Sequence, residues 1–281
     1  MGQYCITKQM IAAFEERLVE EEKSGATIKK YLRDVRAFYA FLPPDKLADK
    51  NLVLAFKAQL AQRYSVVTAN SMLAALNSFF RCMGCEFLHV RLYRRQKQMF
   101  GSAQKELSKE DYRRLLSTAK ALGKDRLWLI MQTICATGIR VSELQFITVE
   151  AARVGRCEVN CKGKRRVIFL PRKLRELLIQ YAAQEKKSSG MLFTTRHGNP
   201  IDRSNLWKDM KQLCRVAGVE GDKVFPHNLR HLFARAFYEE EKDIAKLADL
   251  LGHASIETTR IYIMESGDQH QRKLDRLGLV I

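Results

Sequence analysis

Hydrophobic side chains recur at three- and four-residue spacing through the first part of the chain. In the first segment Met10, Ile11 and Phe14 would share one face of a helix, and Gly25 is expected to end it. Three further segments repeat the pattern: residues 27–42, about 47–63, and 68–84, the last with Thr68 as the expected N-cap. The pattern predicts an all-helical domain over residues 1–90.

A different pattern begins at residue 106. Ser108, with Asp111 three residues later, resembles a helix N-cap, and an apolar helical run follows at 127–138. Residues 154–171, VGRCEVNCKGKRRVIFLP, place β-branched runs on both sides of a Lys-Gly-Lys turn, which predicts a β-hairpin. The chain after this hairpin is mainly helical in pattern. The predicted fold is therefore mainly α with a small β-hairpin, in two domains (1–90 and 106–281) joined by a linker at 91–105.

Charge indicates the kind of partner. The chain carries 49 Lys and Arg residues against 31 Asp and Glu, a formal net charge of +18, and the excess occurs in both halves. A polyanion is the partner that best fits such a charge, with nucleic acid ahead of an anionic membrane surface. The predicted linker contains no acid, so we expect its bases to follow a phosphate backbone, although an ordinary solvated linker is the alternative. The linker candidates for DNA contact are Arg91, Arg94, Arg95 and Lys97.

The seven cysteines are odd in number and scattered, as is typical of reduced intracellular thiols rather than a disulfide framework. Cys82 and Cys85 form a C-x-x-C, which raises zinc or redox chemistry. Because the pair interrupts an apolar helical stretch without a second pair at zinc-finger spacing, buried thiols are favoured and no metal is expected. The sequence has neither a signal-peptide pattern nor an apolar run long enough to span a bilayer, so we expect a cytoplasmic protein with no membrane partner.

Three phrases and the hairpin turn carry residues suited to chemistry on a phosphodiester. ATGIRVSEL contains Arg140, PHNLRHLFA contains His227 and Arg230, and LGHASIETTRIY contains His253 and Tyr262, while the turn offers Lys162. Alone, each of these residues is usually structural. Together, the arginines can neutralise a phosphate as the pentavalent state forms, and a histidine can act as acid or base. The lysine can protonate a departing 5′ oxygen, and the tyrosine can act as the nucleophile.

These phrases, with CKGKRRVIFLP, resemble the tyrosine recombinases, the phage integrase family that includes the Xer proteins and Cre. The resemblance implies that Arg140, Arg230 and His253 surround the scissile phosphate, that His227 is a general acid/base, and that Glu143 supports Arg140. It also implies that Lys162 is the general acid, with Lys164 as a rival, and that Tyr262 forms a 3′-phosphotyrosyl bond. Lys164 and Arg165 are additional DNA-binding candidates.

The resemblance further implies an assembly and a set of partners. Double-stranded DNA with inverted-repeat sites is the expected substrate, bound by a core-binding domain and a catalytic domain. Four protomers are expected to exchange strands through a Holliday junction without ATP, metal or another cofactor, and accessory DNA-bending proteins are candidate partners. The tail at 268–281 is expected either to dock on a neighbouring protomer or to pack on its own domain.

Three other classes of protein compete with this interpretation. A type IB topoisomerase would use related chemistry without a specific site, and a non-catalytic DNA-binding regulator would use the basic charge alone. A metal-dependent nuclease would use His227, His231 and His253 as ligands, but the sequence offers no clustered carboxylates beside them.

Overall fold

In the computed structural model, the described residues are 3–94, 106–161, 164–263, 271 and 275–277. The chain divides into two compact units, residues 1–97 and 98–281. The predicted fold class is confirmed, because each unit is helical apart from short two-stranded antiparallel sheets. Among the described residues, no helix is long and apolar enough to cross a bilayer.

Over residues 3–94, the first unit is built on four helices and one short strand pair. Its elements are β1 (Tyr4–Cys5), α1 (Lys8–Glu20), α2 (Gly25–Phe41), β2 (Leu47–Ala48), α3 (Lys50–Arg63), α4 (Val66–Cys82) and a 3₁₀ turn (Glu86–Leu88). The four helices are as predicted, but two of the predicted boundaries are wrong. Gly25 is the first residue of α2, after the N-cap Ser24, and α4 is capped by Ser65, whose hydroxyl accepts from the backbone of Thr68.

Aromatic residues fill the core of this unit. Phe38 lies at its centre, fully buried and in edge-to-face contact with Phe56 and Phe80, whose ring centroids are 5.1 and 5.8 Å away. Cys85 is buried in the same core, and burial raises its thiol pKa to about 11. The C-x-x-C pair therefore contributes a packed thiol to this core.

The segment after α4 is fastened to the helices by side-chain amides. Asn77 donates to the carbonyl of Val90 (2.8 Å) and accepts from its N–H (3.0 Å). Seven residues earlier on α4, Asn70 makes the same reciprocal pair with Tyr93, at 2.9 and 2.8 Å. The Tyr93 hydroxyl donates to the carbonyl of Lys57 (3.0 Å), and Lys57 lies over the Tyr93 ring. The predicted linker thus begins with residues that are hydrogen-bonded to the first unit.

The second unit contains eight helices and one hairpin among its described residues. They are α5 (Lys109–Ala121), α6 (Asp125–Thr137), α7 (Val149–Val154), β3 (Arg156–Cys161), β4 (Lys164–Phe169), α8 (Arg172–Gln184), α9 (Arg203–Ala217), α10 (Pro226–Glu241), α11 (Ile244–Leu251) and α12 (Ile256–Arg260), with 3₁₀ turns at Val141–Phe146 and Gly221–Lys223. Two predictions are confirmed here: Ser108 and Asp111 form a reciprocal capping box on α5, and β3 pairs with β4 in antiparallel register from Arg156↔Phe169 to Cys161↔Lys164.

The main core of the second unit surrounds α6. Its apolar residues pack with those of α8, α9, α10 and the inward face of the hairpin, where Val159 and Ile168 are buried. A smaller cluster at the end of the unit joins α10, α11 and the residues after α12, and it contains Ala234, Leu247, Leu251 and Tyr262. This second cluster lies beside the polar residues described next.

Candidate active site

Arg230, on α10, is the residue around which the polar cluster is organised. Only 1% of it is exposed to solvent. Its Nη1 donates to the carbonyl of Gly138, at the end of α6, and its Nη2 donates to the carbonyl of Leu251 at 2.6 Å. The same Nη2 lies 3.0 Å from Nε2 of His253. One buried guanidinium thus joins the end of α6, the end of α11 and a histidine.

Gly138 can hold this position because it is a glycine. It ends α6 in the left-handed region, with φ of 64°. A Cβ there would lie 2.4 Å from Cδ1 of Phe233 and 2.9 Å from Cδ2 of Leu251. Both packing and backbone conformation therefore exclude a side chain at the position that presents its carbonyl to Arg230.

We expect Gly138→Ala to destabilise the chain by more than about 2 kcal/mol, since backbone strain and steric overlap add. Gly218 is the matched control, because it ends α9 with φ of 61° and has nothing within 4 Å of its Cβ direction. Urea unfolding of both variants separates the two costs. Equal losses in the two variants would contradict the packing argument.

Arg140 lies directly after this turn and is paired with a buried carboxylate. Its Nη1 donates to Oε1 of Glu143 at 3.0 Å, and its backbone N–H donates to Oε2 at 2.7 Å. Glu143 has no exposed surface, and it also accepts from Nη2 of Arg166, on β4. Arg166 donates as well to the carbonyl of Leu250. Because Glu143 is shared between Arg140 and Arg166, it neutralises the positive charge of Arg140 only in part. The side chain of Arg140 is 42% exposed, so an anion can reach the remaining charge.

His253 lies between Arg230 and a buried hydroxyl. Its Nδ1 is 2.8 Å from Oγ1 of Thr259, a residue of α12 with no exposed surface. Burial, followed by the positive charge of Arg230 and of Arg140, lowers the pKa of His253 to about 4. The imidazole is therefore neutral at physiological pH.

Tyr262 lies in the turn after α12, and its side chain belongs to the same cluster. The residue is 6% exposed, and its hydroxyl is 3.2 Å from Nε2 of His227, on the first turn of α10. Its ring is stacked on His231, with centroids 4.1 Å apart and an interplanar angle of 18°. Burial and the neighbouring arginines, Arg230 first, lower the pKa of His227, so its neutral ring can accept the tyrosine proton.

The histidines beside Tyr262 should make stability depend on pH. Burial and the charge of His227 lower the pKa of His231 to about 3 in the folded chain, against about 6.5 when unfolded. The unfolded state binds more protons between these values, so the free energy of unfolding should fall as pH drops from about 6.5 toward 3. His231→Phe preserves the stacked ring and removes the titration. We expect the free energy of unfolding, measured with urea, to fall less steeply with decreasing pH for this variant than for the wild type or for a variant at the exposed His197. Equal pH dependences in the three proteins would contradict the argument.

The described residues thus bring together five predicted catalytic candidates that lie far apart in the sequence: Arg140, His227, Arg230, His253 and Tyr262. Lys162, Arg95 and Lys97 lie outside the described residues, as do the side chain of Lys164 and most of the tail at 268–281. Arg91, Arg94 and Arg165 are exposed. Sequence reasoning did not find the contributions of Arg166, Thr259 and the stacked His231.

Chemically, the cluster combines an excess of positive charge with a tyrosine hydroxyl, a group whose oxygen is able to act as a nucleophile. The cluster contains three arginines, Arg140, Arg166 and Arg230, and one carboxylate, Glu143, so it has a net positive charge that can attract a phosphate. A tyrosine hydroxyl and a neutral histidine share a hydrogen bond beside it. Within residues 3–94, 106–161 and 164–263, no group of three or more His, Cys, Asp or Glu side chains is arranged to hold a metal ion.

Comparisons with known proteins agree across both units. The model of the phage integrase family matches residues 105–268, and that of the phage integrase N-terminal SAM-like domain matches residues 6–83. Tyrosine recombinase XerA of Thermococcus kodakarensis is 30% identical over 281 residues, covering 97% of this chain and 96% of that protein. Tyrosine recombinase XerD of Listeria monocytogenes is 31% identical over 269 residues, covering 87% and 90%. The structure of a lambda integrase tetramer bound to a Holliday junction shares the fold, with a TM-score of 0.76 and 18% identity over 92% of this chain and 77% of that one.

Proposed function

Because this chain belongs to the phage integrase family of tyrosine recombinases, we propose that it breaks and rejoins DNA at specific sites through a 3′-phosphotyrosyl intermediate. One observation carries the proposal for this particular chain. The hydroxyl of Tyr262 lies 3.2 Å from Nε2 of His227, in a polar cluster organised around the buried Arg230. A regulator that bound DNA without chemistry would have no use for that arrangement.

In the proposed step, Oη of Tyr262 attacks the scissile phosphorus, and its proton passes to Nε2 of His227. The bond to the 5′ oxygen breaks, and that oxygen leaves as a hydroxyl after taking up a proton. Arg140 and Arg230 stabilise the non-bridging oxygens as negative charge accumulates on them, and His253 borders the same oxygens. One phosphate ester replaces another, so the strand can be rejoined when a 5′ hydroxyl attacks the phosphotyrosyl bond.

Lys162 is the proposed donor of the proton to the leaving 5′ oxygen. In the sequence it directly follows the last residue of β3 and precedes β4, the strand paired with β3. Lys164 remains the rival donor, as the first residue of β4. Substituting each lysine separately by methionine and measuring cleavage distinguishes the two.

The proposed substrate is double-stranded DNA with inverted-repeat sites. In this proposal the first unit is a core-binding domain and the second a catalytic domain, joined by the segment 91–105. The net charge of +18 supports contacts with phosphates, with Arg91, Arg94, Arg95, Lys97, Lys164 and Arg165 as the proposed residues. Four copies would act together on two sites and exchange strands through a Holliday junction, in the cytoplasm. Accessory DNA-bending proteins are proposed as additional partners.

The experiment that tests the function is a trap for covalent protein–DNA adducts. Wild-type protein is incubated with fragmented genomic DNA of the organism that encodes it, and DNA linked to denatured protein is recovered and sequenced. We expect enrichment at a paired, inverted-repeat site. Adducts without site preference would favour a type IB topoisomerase, and tight DNA binding without adducts would favour a regulator.

A further inference from the structure

We propose that Thr259 is a positioning residue that sets the tautomer and the orientation of His253, and that the same residue holds the turn bearing Tyr262. This inference rests on the proposed function for its catalytic consequence, but its structural content can be measured in the free protein. The Thr259 hydroxyl is hydrogen-bonded to His253, whereas the Tyr262 hydroxyl is hydrogen-bonded to His227.

The tautomer follows from the partners of the imidazole. An arginine side chain has N–H donors and no acceptor, so Arg230 must donate in its 3.0 Å contact with Nε2 of His253. Nε2 therefore carries a lone pair, and the ring proton of the neutral imidazole lies on Nδ1. Nδ1 must then donate to Oγ1 of Thr259, 2.8 Å away. The neutral state is consistent with the lowered pKa of this histidine.

Thr259 also connects the histidine to the tyrosine. Its backbone carbonyl accepts from the N–H of Tyr262 at 2.9 Å, so its hydroxyl and its carbonyl serve two different residues of the site. The side chain of Thr259 is completely buried, so water cannot replace the hydroxyl as the acceptor of the histidine proton. Which nitrogen of a histidine is protonated is set by the hydrogen bond that the other nitrogen makes.

Losing the hydroxyl should therefore release the imidazole. In Thr259→Val, the Nδ1 proton would have no acceptor, while Nε2 cannot take the proton without losing the hydrogen bond from Arg230. The ring would rotate or populate both tautomers, and Arg230 would lose a partner. Since the backbone of residue 259 is unchanged, the turn that bears Tyr262 should be retained.

The first measurement is the tautomer of His253 in the DNA-free protein. The ring ¹³C and ¹⁵N chemical shifts of histidine-labelled protein distinguish the Nδ1–H from the Nε2–H form, and a His253→Gln variant assigns the signals. We expect the Nδ1–H form in the wild type and in Thr259→Ser, and a mixture or the other tautomer in Thr259→Val. Thr258→Val is the matched control, since Thr258 is the exposed neighbour of the same residue type, and it should match the wild type. A wild-type Nε2–H form, or a Thr259→Val spectrum like that of the wild type, would overturn the proposal.

The second measurement is the rate of adduct formation in a single turnover, together with DNA affinity. We expect Thr259→Val to slow adduct formation by about 10- to 100-fold, the range found for groups that orient metal-binding histidines, without weakening DNA binding. Thr259→Ser should restore the rate to within about threefold of wild type, because it restores the hydroxyl. Equal loss in the serine and valine variants would indicate packing and contradict a role for the hydroxyl. If the wild type forms no adducts, the proposed function fails, while the chemical shifts still decide the tautomer.

Discussion

Tyr262→Phe should abolish covalent attachment to DNA while leaving the fold intact. A phenyl ring can keep the stacked contact with His231, so the substitution removes only the hydroxyl and its hydrogen bond to His227. The stability cost should be close to that of one hydrogen bond, about 1 kcal/mol. The measurement is adduct formation on the recovered DNA site, resolved on a denaturing gel, with thermal unfolding in parallel.

The control is another tyrosine in the same unit. Tyr238 lies on α10 and packs against the same small apolar cluster as Tyr262. Tyr238→Phe should form adducts at the wild-type rate. Adducts that persist in Tyr262→Phe would show that the nucleophile is a different residue and would remove the central element of the proposed mechanism.

Arg230→Ala should cause the second large effect, a strong loss of the cleavage rate with a moderate loss in the free energy of unfolding. In the proposed mechanism the guanidinium stabilises the non-bridging oxygens, and losing one such donor typically lowers a rate about 10²- to 10³-fold. The change in stability should be smaller, about 1–3 kcal/mol, because two effects oppose each other. Two backbone carbonyls and His253 lose their donor, but the energetic cost of burying Arg230 near Arg140 also disappears.

The cost of keeping this charge buried is reflected in the pKa of Arg230, which burial and then the charge of Arg140 lower to about 10. Single-turnover cleavage and urea unfolding measure the two effects separately. Arg172→Ala is the control, since 92% of the Arg172 side chain is exposed and its loss should change neither quantity appreciably. Near-normal cleavage by Arg230→Ala would contradict the proposed role of this residue at the phosphate.

Much of the fold could be predicted from local patterns. The hairpin was predicted because β-branched runs flank a basic turn, and the α5 capping box because Ser108 and Asp111 have the required spacing. The errors arose where several residues compete for one role. Gly25 resembles a helix end, yet Ser24 before it supplies the N-cap, and Ser65 caps α4 ahead of Thr68.

The site was only partly predictable because its supporting contacts join distant residues. Arg166 and Glu143 are 23 positions apart, and their ion pair depends on how β4 packs. A weak signal existed, since Arg166 has the inward parity of the buried Ile168 on its strand. His231 lies four residues after His227 and so shares its helix face, but sequence spacing alone gives no sign that it stacks on Tyr262.

The reciprocal amide pairs of Asn70 and Asn77 also determine where the first unit can be separated from the rest of the chain. Leu88 and Val90 belong to its core, and Tyr93 packs against that core. A fragment ending at residue 90 would leave Asn70 without the backbone it holds, whereas one ending at residue 94 would keep every such pair. The backbone amides of Val90 and Tyr93 should accordingly exchange with deuterium slowly, although they belong to no helix or strand. Limited proteolysis should therefore release a first unit that extends about a dozen residues beyond the end of α4.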